Sequence, residues 1–103
     1  MKLEGDFQIM KLIAKKLIKE GKVEEAIKLY EELVNLSRKE EGCISYDLYQ
    51  DESDSRILAV IEEWENQDVL DKHSNSEHFT RLVPMIGQLT EEKFGIDKYN
   101  KII

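Results

Sequence analysis

Between Gln8 and Ile18 the chain is apolar on both sides of a two-residue repeat. Met10, Leu12, Ala14 and Ile18 fall on one side, and Ile9, Ile13 and Leu17 on the other. Successive side chains of a strand point to opposite faces, so this pattern describes a strand buried on both. A sheet that holds it needs cover above and below. Lys16 interrupts the even-numbered side. It is either a strand-end lysine whose head reaches outward or a cation lining a pocket.

The rest of the chain supplies one cover. Glu20-Gly21-Lys22 reads as a turn, and a helix follows to about Lys39, striped by Val23, Ala26, Ile27, Tyr30, Leu33 and Val34. Gly42 ends that segment. Cys43 to Gln50 reads as a second strand, with Ile44, Tyr46 and Leu48 on one face. A polar turn over Asp51 to Ser55 leads to a third strand from Arg56 or Ile57 to Trp64. Asn66 is placed to cap a short helix through Ser74, and Ser74 and Ser76 compete to cap the next. That helix is striped by Phe79, Leu82, Val83, Ile86 and Leu89, and Pro84 predicts a kink or break near Thr80 to Pro84. A last strand, about Lys93 to Lys101, holds Phe94, Ile96 and Tyr99.

The order β-α-β-β-α-β is that of an α+β, ferredoxin-like plait, whose helices cover one face of an antiparallel sheet. The apolar second face then calls for another copy of the chain. A homodimer is the expected assembly.

With 103 residues the chain makes one domain, here residues 9–103, after a flexible lead-in over residues 1–8. Acidic residues outnumber basic ones 22 to 15, and the net charge of −7 makes nucleic acid a poor partner. Lys11, Lys15, Lys16, Lys19 and Lys22 cluster early and are read as solvated strand edges. The single cysteine, Cys43, allows no intrachain disulfide, which suits the cytoplasm. No apolar run approaches the roughly 20 residues of a membrane span, and no secretory leader is visible.

Few catalytic patterns survive a scan. The glycines are scattered at turn-like positions, and no nucleophile elbow occurs. Cys43 has no histidine near it in sequence and reads as an ordinary strand thiol. His73 and His78 are five apart, the wrong spacing for two ligands on one helix, so no metal site is expected. What remains is an aromatic cleft. Trp64 ends a strand, His73 lies nine residues on, Phe79 opens the next stripe, and Tyr46 comes from the neighbouring strand. Such a cleft suits a flat aromatic ligand. Each residue also has a plain reading: Trp64 and Phe79 as core, His73 as a backbone-bonded buried histidine, and His78 as an exposed first-turn residue.

Gly21-Lys22-Val23, Glu41-Gly42-Cys43, Glu62-Glu63-Trp64 and His73 with Ser76-Glu77-His78-Phe79, in that order, resemble the antibiotic biosynthesis monooxygenase family. The resemblance spans about Ile9 to Tyr99. It implies a small dimeric α+β barrel, and for many members the oxidation of quinol- or anthrone-like aromatics with dioxygen and no cofactor. It would make His73 the acid/base, set Trp64 and Tyr46 to orient the ring, and place Phe79 on the pocket wall. One branch degrades haem with an asparagine, a tryptophan and a histidine; Lys16, His73 and Val83 stand at those positions here, so haem degradation is not expected. Another branch processes a small phosphorylated carbonyl signal of the autoinducer-2 type. An inward Lys16 would suit its phosphate. A third alternative, of a different class, is a ligand-binding dimer without turnover.

Overall fold

The computed structural model describes residues 8–103. Its elements follow the order β1 (Met10–Ile18), α1 (Val23–Ser37), β2 (Cys43–Gln50), β3 (Ile57–Trp64), α2 (Gln67–Ser74), α3 (Glu77–Gln88) and β4 (Thr90–Asn100). The lead-in expected over residues 1–8 falls, apart from Gln8, outside the described residues. The sheet has the strand order β2-β3-β1-β4, antiparallel throughout. That is the ferredoxin-like plait. No helix among the described residues is long and apolar enough to cross a membrane.

One face of the sheet carries the core. Leu12 and Ile18 of β1, Tyr46 of β2, and Leu58, Val60, Glu62 and Trp64 of β3 are buried under Ala26, Tyr30, Leu33 and Val34 of α1 and Leu82 and Ile86 of α3. The expected helical stripes therefore face the sheet. The other face holds Ile13, Leu17, Ile57, Ala59 and Ile61, all half-buried although no helix covers them. Tyr49, Phe94 and Tyr99 are exposed. At its edge Lys11 pairs with Glu63 at 3.7 Å.

Two local details differ from the sequence reading, and a choice it left open is decided. Helix α3 runs unbroken through Pro84. The donor that proline lacks would have met the carbonyl of Thr80. Thr80 is exposed, so water can take that carbonyl's bond. Ser76, not Ser74, caps α3, its hydroxyl accepting from the Phe79 amide at 3.3 Å, while Ser74 donates back to the Leu70 carbonyl. Strand β4 begins at Thr90, three residues before the expected start, because it is an edge strand with a polar, exposed beginning.

Gly42 fixes how α2 meets the sheet. Its φ of +84° suits glycine alone, and a Cβ there would lie 2.6 Å from Val69 Cγ1 on α2. Its carbonyl accepts from the Glu65 amide at 2.9 Å, at the exit of β3. Gly42→Ala is expected to destabilise the fold by about 1–3 kcal/mol, through backbone strain and displacement of α2. A urea midpoint unchanged from wild type would contradict this.

Candidate functional site

Helix α2 is short and set by its caps. Asn66 Oδ1 accepts from the Val69 amide at 3.0 Å, as expected of its cap position. This turns Leu70 and His73 inward, and His73 is only 1% exposed. Its ring lies 4.5 Å from the Trp64 indole, 5.1 Å from the Phe79 ring and 5.3 Å from Tyr46, centre to centre. The four aromatic residues singled out in the sequence thus form one cluster.

Beside the cluster is a cavity of about 570 Å³, between the core face of the sheet and the inner sides of α2 and α3. His73, Tyr46, Phe79 and Lys16 all line it, with Glu62 and Val83. Lys16 is half-buried there. Trp64 corrects the expectation that it orients a ligand directly. It has no exposed surface and stands behind His73, outside the lining, so it can act only through its neighbours.

Two carboxylates that sequence reasoning missed organise this cluster. Glu40, just past α1, takes His73 Nδ1 at 2.6 Å and His78 Nε2 at 2.8 Å on the same oxygen. His78 was expected in solvent, yet its side chain is 15% exposed. The two histidines are five apart in sequence, but the Ser76 cap turn separates their helices and lets both rings approach one acceptor. Glu62 is the second. It is buried and accepts from the Trp64 indole nitrogen at 2.8 Å. Its signal was available: Leu58, Val60, Glu62 and Trp64 share a parity on β3, so a core-facing carboxylate follows from the alternation.

The charges follow from burial. Burial lifts the Glu62 carboxyl to about 7, against the pull of the Trp64 hydrogen bond. Burial, assisted by His78, holds the His73 imidazole below its ordinary range despite Glu40, so the ring is neutral at pH 7. A neutral ring that donates through Nδ1 to Glu40 leaves Nε2 as an acceptor. That nitrogen is buried and has no partner. Burial raises the Tyr46 phenol, which stays protonated. The Cys43 thiol is pushed up to about 11, also chiefly by burial, as befits an inert strand thiol.

Glu40, His73 and His78 could each offer one ligand atom to a metal, all within 4.8 Å of one another. A metal on His73 Nδ1 would, however, make Nε2 a buried N–H with no acceptor.

A profile of the antibiotic biosynthesis monooxygenase family matches residues 9–84. The chain belongs to that family. A solved structure described as an antibiotic biosynthesis monooxygenase is 36% identical to this family member, with a TM-score of 0.80 over 91% of this chain and 97% of that one. A conserved protein of Methanosarcina mazei is 34% identical, with a TM-score of 0.88 over 93% and 95%. Among curated relatives, an uncharacterized Synechocystis protein is 38% identical over 64% of this chain and 45% of its own length. A Mycobacterium tuberculosis protein, named provisionally as a monooxygenase, is 33% identical over 59% of each chain. The match thus spans only about half of the length of these two curated relatives.

Proposed function

We propose that this monooxygenase-family chain oxidises a quinol- or anthrone-like aromatic with dioxygen, and that the reaction proceeds in the cavity beside His73. The observation that carries the reading is His73 Nε2: a buried, neutral, unpartnered acceptor on a ring that borders a chamber walled by aromatic side chains. Nε2 itself has almost no accessible surface, so a small shift of the ring or its neighbours would let a substrate hydroxyl complete that unmet hydrogen bond. His73 then takes the proton, and Glu40 stabilises the resulting imidazolium as a carboxylate behind a histidine does. The substrate anion gives one electron to dioxygen, forming superoxide and a substrate radical. Their recombination makes a carbon–oxygen bond, and the peroxide so formed takes up a proton and loses water to leave a carbonyl. Water exclusion by Tyr46, Phe79 and Leu70 protects the radical pair. Trp64 holds His73 from behind.

Oxygen-electrode traces with a panel of hydroquinones and anthrones test the proposal. Uptake that depends on protein and substrate supports it. A ligand that raises the melting temperature without any oxygen uptake would turn the reading to a binding protein.

The uncovered apolar sheet face supports a homodimer with the two sheets face to face. Ile13, Leu17, Ile57, Ala59 and Ile61 form a contiguous patch too apolar for a monomer surface. Sedimentation equilibrium is expected to give twice the chain mass of 12.1 kDa, and Ile13→Glu, opposite Ile61 at one end of the patch, to give the monomer. A wild-type chain that stays monomeric at high concentration would contradict it.

A further inference from the structure

Lysines line the β1–β4 side of the cavity. Lys15, Lys16, Lys93 and Lys98 are in its lining, against the two carboxylates of Glu62 and Asp71, in a chain of net charge −7. Both carboxylates are already bonded, Glu62 to Trp64 Nε1 at 2.8 Å and Asp71 to Gln67 Nε2 at 2.7 Å. Lys15 lies over the Phe94 ring at 5.9 Å. Among the described residues, no ion pair reaches Lys16, Lys93 or Lys98.

The backbone brings these cations together at some cost. Ala14 pairs with Ile96, but Lys16 pairs with Lys93, because β4 carries one extra residue between them. Gly95, at φ +85°, sits in that bulge. Without the extra residue Phe94 would oppose Lys16. The bulge instead sends Phe94 to the open face and turns Lys93 onto the cavity face, directly across from Lys16. Lys98, opposite Leu12, lies on the same face. Like charges directly opposite on one face destabilise a sheet. Lys16 is half-buried as well, and burial together with the Lys93 charge holds its amine below the ordinary lysine range.

We propose that Lys16 and Lys93 form an anion subsite on the β1–β4 side of the cavity, and that its ligand carries a carboxylate or a phosphate. This rests on reading the cavity as the substrate site, and it adds a substrate class to that reading: an aromatic whose oxidisable ring meets His73 while its anionic group meets the lysines. The field of three unpaired cations would also draw such a ligand through an otherwise acidic surface.

Calorimetric titration under argon tests this without turnover. The probes are hydroquinone, 2,5-dihydroxybenzoate and 4-hydroxyphenyl phosphate, with inorganic phosphate as competitor. At least one charged probe is expected to bind about tenfold more tightly than hydroquinone, or about 1.4 kcal/mol. Which one does so separates a carboxylate site from a phosphate site. Lys16→Met keeps the side-chain bulk and should erase the preference, and Lys93→Gln should halve it or more. Equal affinity for neutral and charged probes, or a preference that survives both substitutions, would overturn the subsite. A charge preference without oxygen uptake would leave the subsite standing and remove the oxidation chemistry.

Discussion

His73→Ala is expected to lower kcat/KM for oxygen-dependent turnover by about two to four powers of ten, the range in which a positioned acid/base contributes. The effect should fall on kcat, because the cavity walls that hold the ring are Tyr46, Phe79 and Leu70 rather than the imidazole alone. His73→Asn offers a second measurement should the alanine variant pack poorly: its amide can still donate to Glu40 while lacking a base of comparable strength. Turnover within a factor of a few of wild type in a folded variant would remove His73 from the chemistry. Below the His73 pKa, itself depressed by burial, the ring is protonated and activity should fall. The acid limb of the rate profile therefore belongs below the 6.5 of an ordinary histidine.

Glu62 gives the second large effect, on stability. Its carboxyl titrates at about 7 in the fold against 4.5 ordinarily, so the native state binds that proton more tightly than the unfolded chain. The resulting stabilisation is complete below pH 4.5 and is lost as pH rises to about 7, for a change of about 3 kcal/mol. His73 works in the opposite sense, since its depressed pKa adds stability as pH rises toward 6.5. The difference between wild type and Glu62→Gln isolates the carboxyl. Urea midpoints between pH 5 and 8 should show wild type losing ground to the variant as pH climbs, with the two curves parallel above pH 7.5. Parallel curves across the whole range would mean that Glu62 titrates normally.

The strands and helices were legible because burial imposes periods of 2 and 3.6 on apolar residues, and one cap, Asn66, followed its chemistry. The aromatic cluster was legible for the same reason: Trp64, Tyr46, Phe79 and His73 occupy core-facing positions that converge once the topology is given. The polar partners were harder. Glu40 sits in a turn after α1, where an exposed glutamate is ordinary, and only tertiary packing brings both histidines to it. His78 is expected in solvent from its place in the first turn of α3 beside Phe79, whereas packing against the turn after α1 brings its ring to Glu40. The effect of the donor that Pro84 lacks depends on Thr80, whose exposure is set by the tertiary fold. The β4 bulge left one trace, a glycine inside a strand, but which lysine it would turn toward β1 depends on register.

The central claim is that an aromatic hydroxyl completes the open hydrogen bond of His73. A crystal structure of the protein with a hydroquinone-type ligand bound under argon tests it most directly. The ring is expected between Phe79 and Tyr46, with a hydroxyl within about 3.2 Å of His73 Nε2. A ligand seated elsewhere, or one lying in the cavity with Nε2 still unpartnered, would contradict it.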